Sequence, residues 1–193
     1  FVLATQNPLE QEGTYTLPEA QQDRFMFKVF VDYPSFDEEL EIARKAQERR
    51  KVEPVAVLQS DELQRIREVI AQIPVGDSLL KYIVRLVRGT RPNDSTQSSK
   101  LHGMLRFGAG PRGVEYMVSA SQAHAALHQR CYVTSDDVRA VIHPVLRHRL
   151  GLNFLAESEG KTADDVIDTL VETTPLPKEV SSGDERFKKI LST

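Results

Sequence analysis

The chain has 193 residues, of which 25 are Lys or Arg and 28 are Asp or Glu, a net charge of −3. With 40% hydrophobic and 27% charged residues it has the make-up of an ordinary globular protein, and no apolar run reaches the roughly 18 residues of a membrane-spanning helix. A single cysteine, Cys131, excludes an intramolecular disulfide and a zinc cage of several thiolates, which predicts a reducing, cytoplasmic setting. The slightly acidic balance argues against a protein that coats nucleic acid.

In chain order, Phe1-Val2-Leu3-Ala4-Thr5 is an apolar β-type run with no initiating Met and no signal-peptide pattern, so the sequence is expected to be cut from a longer protein. This run and Phe25 to Val31, both aromatic or β-branched and bounded by turn residues, are the two predicted strands. Between them, Asn7-Pro8 and Gly13 mark a loop, and Pro18 opens a single helical turn reaching Arg24. Ser35 and Glu38 form a capping box for a helix with an apolar stripe of Phe36, Leu40, Ala43 and Ala46. Residues 52–59, with Pro54 inside, break the pattern and form a predicted boundary.

Ser60 is expected to cap a helix carrying Leu63, Ile66 and Ile70 that Pro74 stops. Asp77 is expected to cap the next, with a stripe of Leu80, Ile83, Val84 and Val87. The polar run 93–100 predicts a mobile loop. Gly108-Ala109-Gly110-Pro111-Arg112 leads into a long helix to about Gln129, with Pro111 at its first position and apolar residues on two faces, the pattern of a central helix. Thr134 with Asp137 and Thr162 with Asp165 are two more capping boxes, heading stripes of Val138, Val141, Ile142 and Val145 and of Val166, Ile167 and Leu170. Past Pro175 and Pro177 the chain turns polar and reads as a loose tail.

Several short patterns invite a chemical reading that their context refuses. Gly160-Lys161-Thr162 lacks the glycine that a phosphate loop needs five positions earlier, where Leu155 stands, and Thr162 serves better as a helix cap. His124 and His128 have the spacing of two metal ligands, but the position a zinc protease fills with Glu is Ala125, and no third ligand is near. Cys131 has no base beside it and reads as a small buried hydrophobe. The cations Arg44, Lys45, Arg49, Arg50 and Lys51 end a helix whose first turn is acidic, the order that the helix dipole favours.

Three stretches remain. Ala4-Thr5-Gln6-Asn7-Pro8 delivers an Asn at the end of a strand, the edge at which open α/β sheets bind ligands. Leu17-Pro18-Glu19-Ala20-Gln21-Gln22-Asp23-Arg24-Phe25 sets an Arg just before a strand, either paired with Asp23 or another acid, or presented outward to a partner's phosphate. Gly108 to Arg112 puts a guanidinium at a helix N-terminus, where oriented N–H groups and the dipole attract anions. Together with Tyr132 to Val138 and Val145-Leu146-Arg147-His148-Arg149-Leu150, these stretches resemble the second half of a MoxR-type AAA+ ATPase over about residues 1–177.

The resemblance implies a mainly α fold: the helical lid of an AAA+ ATPase, with a remnant of the α/β core supplying one or two short strands. Residues 1–50 would end the core, 51–59 link it, 60–175 form the lid, and 176–193 the tail. It also implies that Asn7 is sensor 1, placing the attacking water, that Arg24 is the arginine finger reaching a neighbouring subunit's nucleotide, and that Arg112 is sensor 2. Gly113 stands where the family usually has Ala. The cofactors implied for the intact protein are ATP and Mg²⁺. The implied partners are further copies in a ring, a hexamer, and von Willebrand factor A domain proteins acted on in a chaperone-like way. No Gly-x₄-Gly-Lys-Ser/Thr occurs, and Val29-Phe30-Val31-Asp32, followed by Tyr33, is the nearest approach to a metal-holding strand, so the chain alone is expected neither to hold nucleotide strongly nor to hydrolyse it. Two other readings stay open: a helical protein-interaction module, and a nucleic-acid-binding helical domain using the cations at 44–51 and 147–149.

Overall fold

A computed structural model describes residues 2–6, 17–48 and 55–177, and among them the chain is mainly α. The helices are α1 (Glu19–Gln22), α2 (Phe36–Glu48), α3 (Ser60–Ala71), α4 (Asp77–Gly89), α5 (Pro111–Leu127), α6 (Ser135–Leu146), α7 (Phe154–Ser158) and α8 (Ala163–Thr173). The two strands are β1 (Leu105–Phe107) and β2 (Gly151–Leu152), an antiparallel pair with Leu105 opposite Leu152 and Phe107 opposite Gly151. A Cβ on Gly151 would lie 2.1 Å from the Phe107 ring, so only glycine lets the ring cross that strand.

Both strands therefore fall at places where the sequence pattern predicts none. Residues 2–6 and 25–31 are not in strands, because a strand exists only when its N–H and C=O groups pair with a neighbour, and no neighbouring ladder is present among the described residues. Val29, Phe30 and Val31 are accordingly exposed.

The helical half follows its caps. The Ser35 N–H and hydroxyl donate to Glu38 at 2.8 and 2.7 Å, and Thr162 binds Asp165 in the same way at 2.7 and 2.7 Å. Two starts are shifted by one residue. The N-cap of α3 is Gln59, whose N–H donates to Glu62 at 2.7 Å, and that of α4 is Gly76. The inward stripe of α4 is Leu79, Tyr82, Ile83, Leu86 and Val87, whereas Val84 faces solvent. The α3 residues Leu63 and Ile66 are largely exposed, so that helix buries less than its periodicity promises.

The core lies where α5 and α6 pack together and α4 and α8 cover them. Met117 of α5, Ile142 and Leu146 of α6, Leu86 of α4 and Ile167 and Leu170 of α8 are fully buried, each contributing about 1.5–3 kcal/mol of transfer free energy. One end of the α5–α6 pair is closed by Asp137, which has no exposed surface. Its carboxylate accepts two bonds from Arg130 at 2.5 Å and two from Thr134 at 2.8 and 2.9 Å, and His124 Nδ1 lies 2.6 Å away. Burial by itself would raise this carboxyl's pKa, but the bonds from Arg130, His124 and Thr134 outweigh it and hold the group below the usual carboxylate range.

This cluster explains His124 as a structural side chain. Among the described residues no three groups are placed to hold a metal. Cys131 is exposed rather than buried, since it follows the end of α5, beyond the helix's packed face. Leu127, the last residue of α5, is 82% exposed. The segment 93–100 is folded into turns: Asp94 accepts from the Thr96 N–H and hydroxyl and pairs with Arg88 at 3.0 Å, and these bonds lower its pKa to about 2. No helix among the described residues is long and apolar enough to cross a membrane.

The loop that begins α5 is fixed by close packing. The Thr90 hydroxyl donates to the Val87 carbonyl at 2.6 Å and accepts from the Ala109 N–H at 2.9 Å, which brings Gly108 against Thr90. A Cβ at Gly108 would sit 2.2 Å from the Thr90 carbonyl oxygen, which is backbone and cannot swing aside. Gly108→Ala is therefore expected to destabilise the fold by about 1–3 kcal/mol, read as a lower midpoint in urea unfolding.

Candidate functional site

The site centres on the turn that follows α1. Pro18 starts α1 because its fixed φ suits a first turn, and the Gln21 and Gln22 N–H groups donate to its carbonyl at 2.8 and 3.0 Å. The Asp23 and Arg24 N–H groups close the turn on Glu19 and Gln21. Arg106, the middle residue of β1, reaches α1 through Glu19 at 2.6 Å.

Asp23 is the meeting point of two cations. Arg149, just past α6, donates from Nε to its Oδ1 at 3.0 Å, and Arg112, the second residue of α5, donates from Nη1 to its Oδ2 at 3.1 Å. The two guanidiniums differ in surroundings. The Arg149 side chain is 1% exposed and that of Arg112 is 50% exposed, so Arg112 can exchange this partner for another anion and Arg149 cannot. Burial pushes the Arg149 pKa down from its ordinary value and the Asp23 charge opposes that; an arginine starts so high that the group stays cationic.

Arg24 is exposed, and its side chain has no hydrogen-bond or ion-pair partner among the described residues. Its backbone is held. The Tyr116 hydroxyl of α5 donates to the Arg24 carbonyl at 3.0 Å, and Arg149 takes the carbonyls on either side. Of the two arrangements open to Arg24, pairing with Asp23 is thus absent, since Asp23 serves Arg149 and Arg112. Asn7, the expected sensor 1 residue, lies outside the described residues, as do residues 49–51 of the basic cluster. Within that cluster Lys45 pairs with Glu41 at 2.6 Å.

The cations at 147–149 form no open patch. Arg147 donates to Asp164 at 3.1 Å and lies over the Phe30 ring at 4.5 Å, while Arg149 is buried. His148 is buried as well, with Nε2 3.0 Å from the Phe25 carbonyl and Nδ1 without a partner among the described residues. Asp23, Tyr116, His148 and Arg149 are the site residues that sequence reasoning misses. The available signal was a cation between Leu146 and Leu150, both buried: Arg149 falls on the apolar side of its segment, where a charge persists only if paired.

With this geometry in view, two family models match the chain: the AAA lid domain over residues 97–170, and the ATPase family associated with various cellular activities (AAA) over residues 1–27. Chaperone MoxR1 of Mycobacterium tuberculosis is 39% identical over 181 residues, 92% of this chain and 47% of the relative. Protein YeaC of Bacillus subtilis is 36% identical over 183 residues, 94% of this chain and 54% of the relative. The chain belongs to the MoxR family of AAA+ ATPases. A crystal structure of a putative ATPase from Cytophaga hutchinsonii superposes with a TM-score of 0.83 at 33% identity, covering 90% of this chain and 53% of that one. The chain spans about half the length of these two relatives. A core-family match followed by a lid match is the order of the C-terminal part of such an ATPase.

Burial pushes the His148 pKa down to about 4, helped by the positive charge of Arg149. An imidazole near 6.5 when unfolded and about 4 when folded binds its proton more readily in the unfolded chain, so its contribution to stability is complete above about pH 6.5 and is lost as pH falls towards 4. Thermal unfolding of the wild type is expected to shift downward over that interval. In His148→Gln the same scan should be flatter by up to one proton's worth of slope.

Proposed function

We propose that this chain is the finger-and-lid part of an ATPase that hydrolyses ATP between neighbouring subunits of a ring and uses the cycle to remodel partner proteins. The observation that carries the reading is the placement of Asp23, which neighbours Arg24 in sequence and binds Arg112 in space. The two candidate arginines emerge from one patch, one fully presented and the other half-exposed on a carboxylate that an anion can replace. A triphosphate is the ligand such a pair suits: guanidiniums bind phosphate oxygens bidentately, and the start of α5, with Pro111 at its first position, adds the positive end of a helix dipole.

In this reading Arg24 is the arginine finger, Arg112 is sensor 2 and Asn7 is sensor 1, holding the attacking water. Because Asp23 holds Arg112 beside the turn that bears Arg24, both arginines are assigned to the same nucleotide, that of the adjacent subunit. Mg²⁺, when bound with ATP, neutralises charge on the phosphates; the arginines of this chain add charge where the transition state develops it. Residues 1–50 are assigned to the α/β core, 51–59 to a linker, 60–175 to the lid and 176–193 to a tail. The exposure of Phe27, Val29, Phe30 and Val31 supports the first assignment, since such residues pair and pack in a core sheet. A chaperone-like role on von Willebrand factor A domain proteins, in a hexameric ring in the cytoplasm, follows from the family resemblance and from the name of the mycobacterial relative.

In the intact protein, Arg24→Ala is expected to lower ATP turnover by about 10³-fold or more while ATP still binds. Wild-type turnover would remove the finger assignment. Rings mixed from Arg24→Ala and Arg112→Ala subunits test the shared nucleotide. If both arginines act across the same interface, every subunit supplies a defective face and no activity returns; recovery on mixing would mean that Arg112 acts on its own subunit's ATP.

A further inference from the structure

We infer that Arg149, assisted by Tyr116, is the positioning residue for Arg24, fastening the backbone that presents the finger to the lid of its own subunit. This rests on the finger reading above and adds to it the group that aims the guanidinium. Four consecutive carbonyls, of residues 23 to 26, all end on lid side chains. Arg149 Nη2 donates to the carbonyls of Asp23 at 2.9 Å and Phe25 at 2.5 Å, Nη1 donates to that of Met26 at 3.3 Å, and the Tyr116 hydroxyl takes the one between, of Arg24, at 3.0 Å. The remaining Arg149 donors go to the Asp23 carboxylate and to the Val145 carbonyl of its own helix.

Five oxygens thus surround one guanidinium, four of them on the segment 23–26, and His148 Nε2 lies 2.7 Å from the same Nη1 that reaches Met26 and Val145. Its Cζ also lies 4.9 Å from the Tyr116 ring centre, which joins the two gripping side chains to each other. Farther along, the Lys28 N–H donates to the Pro144 carbonyl of α6 at 2.8 Å, extending the attachment. A turn in which four successive carbonyls are held has little freedom to rotate, so the direction in which Arg24 leaves the surface is set by α5 and the end of α6. Any movement of the lid carries the finger with it.

Lysine cannot replace this contact, since an ammonium has three donors and no planar fork. Tyr116→Phe removes one hydroxyl and leaves the ring against Arg149. The test measures kcat and, separately, ATP affinity in the intact protein for Arg24→Ala, Arg149→Lys and Tyr116→Phe, alone and with Arg24→Ala. Displacing a reacting group by about 1 Å costs up to about 10²-fold, so Arg149→Lys is expected to lower kcat by about tenfold and Tyr116→Phe by about threefold, with ATP affinity unchanged. In the Arg24→Ala background neither is expected to lower the residual rate further, whereas a merely destabilising change would lower it by the same factor as in the wild type.

Wild-type turnover in Arg24→Ala overturns the finger reading itself. If Arg24→Ala is inactive but Arg149→Lys keeps the wild-type kcat, only the positioning role falls; equal losses in both backgrounds have the same consequence. Should Arg149→Lys fail to fold, a wild-type kcat in Tyr116→Phe at an unchanged melting temperature overturns it.

Discussion

A buried guanidinium must be paired, and in this protein the requirement organises everything around it. Arg149 is almost wholly withdrawn from water, and an arginine there would be severely destabilising without anionic and carbonyl partners. Its own helix supplies one, the Val145 carbonyl. Four more come from a segment more than a hundred residues away in sequence, which is thereby bound to the helical bundle, where Met26 alone of residues 23–26 packs against the core. The bundle would keep its core without the segment; the segment, only four residues of helix and a turn, would have no defined position without the bundle.

The chemistry of the site depends on the contrast between the two arginines on Asp23. The pairing with Arg149 is shielded from solvent and salt, and so is structural, while the pairing with Arg112 is open to exchange with any stronger anion. One carboxylate serves as an anchor through one oxygen and as a replaceable counter-ion through the other. Arg112 can then change partners without loosening the turn that bears Arg24.

The helices were legible in the sequence because their signals are local. Ser35 with Glu38, Thr134 with Asp137 and Thr162 with Asp165 each make within four residues the bonds that start a helix, and the stripes of α6 and α8 are buried as their spacing predicts. The strands were not, because a run such as Phe25 to Val31 states only a preference, and pairing is decided by residues elsewhere. Instead Leu105–Phe107 pairs with Gly151–Leu152, two stretches too short for alternation to reveal. At the site, Arg24 and Arg112 stood out by motif. Their connection did not, since nothing local to Asp23 announces Arg149 or Arg112 as its partner.

The grip on the turn at 23–26 has one more property, which concerns how such a protein can vary. Apart from the Asp23 carboxylate, Arg149 and Tyr116 hold main-chain oxygens, and every amino acid has one. The side chains of Phe25 and Met26 are therefore not read by the clamp, and Met26 is constrained only by its packing against the core. The burden of specificity falls on the opposite partner: no other natural side chain spreads five N–H donors in one plane. Tolerance to substitution is thus divided unequally across a single contact, wide on the side that presents Arg24 and narrow at Arg149.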